Sequence, residues 1–120
     1  MKVLIADDML SSRMFIADLI QSLGHTSIPV KDGREAVNYL ETNKVDAIIL
    51  DIEMPNMNGL ETATHIKDIL KINTPIASFT SHDSNDYLQR MKNAGFDHCL
   101  LKNPKIIDNI KNFLVDIPVN

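Results

Sequence analysis

The stretch Ala47-Ile48-Ile49-Leu50-Asp51-Ile52-Glu53-Met54-Pro55-Asn56-Met57-Asn58-Gly59 decides how this chain is read. Ala47 to Leu50 is a short apolar run with two isoleucines, the pattern of a strand buried on both faces. It stops at a carboxylate, Asp51. The chain then turns through Met54-Pro55-Asn56 and restarts as a helix near Asn58-Gly59. An acid at the carboxyl end of a buried parallel strand stands where open α/β sheets hold their ligands.

Working outward, the same unit recurs. Lys2 to Ala6 reads as a buried strand ending in Asp7 and Asp8, followed by a helix from about Leu10 to Leu23 that Gly24 ends. Thr26 to Val30 is a second strand, Lys31-Asp32-Gly33 a turn, and Arg34 to Thr42 a helix with Ala36, Val37 and Leu40 inward. The helix after Asp51 runs from about Asn58 to Leu70, until Asn73-Thr74-Pro75 breaks the pattern. Pro75 to Phe79 is the fourth strand, ending at Thr80-Ser81. Ser84 or Asn85 caps a fourth helix over Asp86 to Ala94, closed by Gly95. His98 to Leu101 is the fifth strand, ending at Lys102. Asn103-Pro104 reads as an N-cap followed by proline at the first helical position of the last helix. Five strands alternating with five helices predict right-handed crossovers and a parallel sheet covered on both faces.

Composition agrees with one domain over residues 1–120. Apolar residues make up 44% and charged residues 23%, an ordinary globular balance. The net charge of -4 disfavours a nucleic-acid-binding face, which needs clustered Lys and Arg. The first apolar run is too short for a signal peptide or membrane span. The single cysteine, Cys99, rules out an internal disulfide and fits a reducing cytoplasm. It reads as a small strand residue, and the methionines, including Met9, Met14 and Met91, as packing groups. The four histidines have no ligand spacing.

In a parallel sheet all strand carboxyl ends share one edge. Asp7 and Asp8, Asp51, Thr80 and Lys102 should therefore converge. Three close carboxylates repel one another unless a cation shares the site. Oxygen-only donors with open positions suit Mg²⁺. A lysine and a hydroxyl beside them can bind an anionic group, so the set suits phosphoryl transfer to a carboxylate.

The chain resembles the receiver domains of two-component response regulators over essentially its whole length. The likeness rests on Asp7-Asp8, Lys31-Asp32-Gly33-Arg34-Glu35-Ala36, Asp51 followed by Met54-Pro55 and Gly59, Thr80, and Lys102. It implies a flavodoxin-like doubly wound sheet in the order 2-1-3-4-5. It also implies that Asp51 accepts a phosphoryl group from a histidine kinase or phosphotransfer protein, with Thr80 and Lys102 on the phosphoryl oxygens. Mg²⁺ would be held by Asp8, Asp51 and the main-chain carbonyl of Glu53, with Asp7 acting mainly through water. Glu53 and His82 stand where the family varies side chains that tune phosphoryl lifetime.

The resemblance implies a switch rather than an enzyme with turnover, read by a downstream protein at the face of helix four, strand five and helix five. No nucleic acid or membrane enters. Two positions depart from the pattern. Cys99 stands where the family usually has an aromatic ring that moves with the threonine, so the usual ring coupling does not operate. Asn103 follows Lys102 where proline is common, and a trans Lys102–Asn103 bond is expected because a non-proline cis bond costs about 3 kcal/mol. The competing readings are a receiver-like adaptor that is never phosphorylated, a Mg²⁺-dependent aspartyl-phosphate phosphatase and a flavin module. Pro55, where the phosphatase motif has Thr or Val, weighs against the phosphatase. The acids after strand one repel a flavin phosphate.

Overall fold

A computed structural model describes residues 1–81 and 84–118. The elements are β1 (Lys2–Ala6), α1 (Leu10–Ser22), β2 (Thr26–Val30), α2 (Gly33–Thr42), β3 (Ala47–Asp51), α3 (Gly59–Thr64, continued by a π-helical turn over His65–Ile69), β4 (Ile76–Thr80), α4 (Asn85–Asn93), β5 (His98–Leu101) and α5 (Ile106–Val115). All five strands pair in parallel, in the order β2-β1-β3-β4-β5. The parallel pairing is the one expected from the alternation of elements, and the doubly wound order is the one the resemblance implies.

Strand side chains alternate between faces, and each face meets its own helices. Val3, Ile5, Ile49, Phe79 and Leu100 pack with Ile16 and Ile20 of α1 and Ile110, Phe113 and Leu114 of α5. Leu4, Ala6, Ile48, Leu50 and Ile76 pack with Ala36 and Leu40 of α2, Ala63 of α3, Ile66 of its π turn, and Met91 of α4. The three central strands β1, β3 and β4 are therefore almost wholly buried, as their continuous apolar runs require. β2 is an edge strand with partial exposure and carries Pro29, a residue that sheets tolerate at an edge.

Caps fix where the helices begin. Asp32 accepts the Glu35 N–H at 2.8 Å at the start of α2. Asn58 and Glu61 form a reciprocal capping box on α3, with bonds of 2.8 and 3.3 Å. Of the two candidates for α4, Ser84 is the cap and accepts from the Tyr87 N–H. Gly24 and Gly95 end α1 and α4 at φ values of 88° and 105°.

Several expectations need correction. The last helix does not start at Pro104. Asn103 Oδ1 accepts the Lys105 N–H at 2.9 Å, which closes a turn, and the helix begins at Ile106 with Lys105 as its N-cap. The third helix does not stay α-helical to Leu70, because Leu70 N–H bonds five residues back to the His65 carbonyl. Met91 is buried, but Met9 and Met14 are 58% and 53% exposed, the first as the N-cap before α1 and the second on its outer side. The Lys102–Asn103 bond is trans. No helix among the described residues is long and apolar enough to cross a membrane.

Candidate functional site

Asp51 is the last residue of β3 and is 5% exposed. The loop after it is folded tightly enough to hold the carboxylate in place. Asn56 has a φ of 68°, Met57 N–H bonds to the Pro55 carbonyl at 2.7 Å, and Gly59 N–H returns to the Ile52 carbonyl at 2.9 Å. A Cβ on Gly59 would lie 2.5 Å from the Asp51 carbonyl oxygen and 2.8 Å from Ile52 Cα, so only glycine lets α3 start this close to β3.

Asp7 directly follows the neighbouring strand β1 and is 1% exposed. Its Oδ1 accepts the Met9 N–H at 3.0 Å, its N–H bonds to the Val30 carbonyl at 3.2 Å, and its own carbonyl accepts from Arg13 at 2.8 Å. Its other carboxylate oxygen, Oδ2, is buried without a hydrogen-bond partner. Asp8, the next residue, is exposed. Carboxylate oxygens of Asp7, Asp8 and Asp51 all lie within 4.8 Å of one another. The sheet thus brings together the three acids that the sequence placed at two strand ends.

Lys102 completes the set from the loop after β5. Its Nζ lies 3.5 Å from Asp51 Oδ1, and its N–H donates to the Thr80 carbonyl at 2.9 Å. Thr80 ends β4 and is 2% exposed. Glu53 has an exposed side chain, and its N–H donates to Asp51 Oδ1 at 3.4 Å. His82 lies outside the described residues.

The electrostatics follow from this crowding. Burial pushes the Asp51 carboxyl up to about 6, and the Asp7 charge adds to the rise. Lys102 and the Glu53 N–H pull against it without cancelling it. An oxygen-only donor set, an unpartnered buried carboxylate oxygen and a carboxylate held partly toward its neutral form fit a hard divalent cation. The residues present therefore fit Mg²⁺.

Three residues at the site carry no sequence signal of their own. Arg13 reaches the Asp7 carbonyl from α1. Phe79, one residue before Thr80, has its ring centroid 4.8 Å from Lys102 Nζ. Tyr87 lies in the first turn of α4, and its hydroxyl is pushed up by burial and then by the Glu53 charge, against the pull of Arg90, with smaller rises from Asp51 and Cys99. Each reads as an ordinary helix or core residue until the elements are assembled. Cys99 is a half-buried β5 residue opposite Ser78, beside a groove that Leu88, Met91 and Phe96 also line.

Comparison with known proteins gives a consistent result. The profile described as response regulator receiver domain matches residues 3–112. The chain is 34% identical over 114 residues to the sensor histidine kinase RcsC of Escherichia coli (strain K12), covering 95% of this chain and 12% of the kinase. It is 34% identical over 110 residues to the transcriptional regulatory protein PdtaR of Mycobacterium tuberculosis (strain ATCC 25618 / H37Rv), covering 91% of this chain and 53% of that protein. The chain thus spans only part of these curated relatives. Among solved structures, the chemotaxis protein CheY4 of Vibrio cholerae superposes with a TM-score of 0.88 at 30% identity, over 98% of both chains.

Proposed function

The chain belongs to the response regulator receiver domains of two-component signalling, and on that premise we propose that residues 1–120 act as one receiver that takes a phosphoryl group on Asp51. The observation that carries this reading is the convergence of the Asp7, Asp8 and Asp51 carboxylates within 4.8 Å, with the Lys102 ammonium 3.5 Å from Asp51. The donor is a histidine kinase or a phosphotransfer protein. Likeness to a sensor histidine kinase supports a kinase partner.

The chemistry asks little of the protein beyond placement and charge. Asp51 is the nucleophile. With its pKa near 6 it is mainly ionised at neutral pH, yet burial leaves it poorly solvated and so ready to react. Its carboxylate oxygen attacks phosphorus as the donor's bond to phosphorus breaks, giving an aspartyl phosphate and the free donor. Lys102 offers three N–H donors beside the incoming phosphoryl oxygens, and the Thr80 hydroxyl lies at the neighbouring strand end. Mg²⁺, held by Asp8, Asp51 and the main-chain carbonyl of Glu53 with Asp7 acting through water, supplies charge neutralisation for the phosphoryl oxygens when bound.

The product changes the local charge. An aspartyl phosphate adds negative charge and acceptor oxygens at the end of β3. The Thr80 hydroxyl is drawn toward it, and the shift passes along β4 to the face made by α4, β5 and α5, where a downstream protein binds. That protein must bind the shifted form better than the unshifted one, or no signal results. Cys99 provides no ring for this face and lines the groove between α4 and β5 together with Leu88, Met91 and Phe96.

Intact-mass measurement after incubation with Mg²⁺ and a small acyl phosphate tests the reading. A gain of one phosphoryl group is expected in the wild type with metal, and none in Asp51→Asn or after chelation. Absence of any gain, also with a phosphorylated histidine donor, would make the chain a receiver-like adaptor.

A further inference from the structure

We propose that Phe79 is a positioning residue that holds the Lys102 ammonium in place against Asp51. Lys102 lies beyond the end of an edge strand, where few main-chain contacts constrain its long side chain. Its Nζ is fixed between two groups, Asp51 Oδ1 at 3.5 Å and the Phe79 ring, whose centroid is 4.8 Å away. The ring is itself held by packing within its strand. Phe79 is 5% exposed, pairs in register with Asp51 on one side and Leu100 on the other, and packs in the core cluster shared with α1 and α5.

A cation over an aromatic face is attracted by the ring quadrupole, and a leucine of comparable bulk offers no such attraction. The single ion pair leaves the ammonium free to pivot around Asp51, whereas the ring adds a second fixed point. Phe79 also precedes Thr80, so any movement of the end of β4 carries the ring and the hydroxyl together. Lysine placement and threonine placement are thereby tied to the same strand.

This role rests in part on Asp51 being the phosphoryl acceptor, so the test has one readout that does not depend on it. In metal-free, donor-free protein, NMR should find the Lys102 ε-methylene protons upfield of those of the other lysines. That ring-current shift should vanish in Phe79→Leu and persist in Phe79→Tyr. The second readout is the rate of phosphoryl gain from acyl phosphate at saturating Mg²⁺. Phe79→Leu should lower it by about threefold to tenfold in the presence of Lys102, and Phe79→Tyr should restore it. In a Lys102→Met background the same substitution should change the residual rate by less than about twofold, because the partner is already gone.

An ordinary Lys102 shift in the wild type, or an equal rate loss with and without Lys102, would overturn the proposal and make Phe79 a packing residue only. If the wild type gains no phosphoryl group, the acceptor reading fails and the ring-current shift alone decides the role of Phe79.

Discussion

β3 reaches the site as five residues none of which is more than 5% exposed, whereas β5 arrives as four residues of which only Leu100 is buried. β3 is gripped on both edges by β1 and β4, and β5 on one edge by β4 alone. The carboxylate at the end of β3 inherits its position from the strand that bears it. The lysine beyond β5 cannot, and its ammonium depends on two side-chain contacts, a carboxylate and a ring, while its main-chain N–H bonds to the Thr80 carbonyl. One side chain is thus placed by its strand and the other by its contacts, so the two should respond differently to the loss of packing.

The strongest way to break this contrast is to remove packing from each strand in turn. Leu50→Ala, at a fully buried site in β3, should cost about 2–5 kcal/mol in urea unfolding. Leu101→Ala, at a half-buried site in β5, should cost less than about 2 kcal/mol, and a loss as large as that of Leu50→Ala would deny the difference in grip.

The next effect concerns the charge that β3 buries. Below about pH 4 Asp51 is neutral in both folded and unfolded chains. Between there and about 6 the unfolded chain gives up its proton first, so the folded chain binds more protons and stability falls as pH rises. Above that window the full penalty remains. Asp51→Asn should therefore stabilise the metal-free protein at pH 7.5 by up to about 3 kcal/mol, and the gain should fade as pH is lowered toward 4. Mg²⁺ binding has the opposite dependence, because it needs the ionised carboxylate. By calorimetric titration its Kd should rise about tenfold for each pH unit below 6.

The smallest effects belong to the readout side. Ser84→Ala removes the α4 cap and should cost about 1 kcal/mol. Cys99→Ala should change unfolding by less than about 1 kcal/mol, since the side chain is only half-buried.

What was legible in the sequence follows the same contrast. β1, β2 and β5 have the boundaries their patterns predict, whereas β3 and β4 each run one residue further, into Asp51 and Thr80, because both of these polar residues are buried at the strand ends. The acids share one edge because all parallel strands end there, and they converge because β1 pairs directly with β3, a neighbour relation that the order of elements alone does not give. The start of α5 is not legible because an asparagine side chain accepts from a main-chain N–H two or three residues ahead in either a turn or a helix cap, and the sequence looks alike in both cases. The π turn after Thr64 adds one residue to a helical ring and leaves no compositional mark. The Phe79–Lys102 contact joins a core residue to a loop residue 23 positions on, and only the pairing of β4 with β5 makes them neighbours.

Pro29 has a consequence at high concentration. Open sheets invite a second chain to add a strand along an edge, and β2 is the longer of the two edges here, at five residues against four. A proline in that strand has no N–H to offer an incoming backbone, while β5 presents only a short template. Both borders of the sheet are thus poor seeds for edge-to-edge aggregation, and the chain should stay monodisperse at concentrations where an open five-residue edge would not.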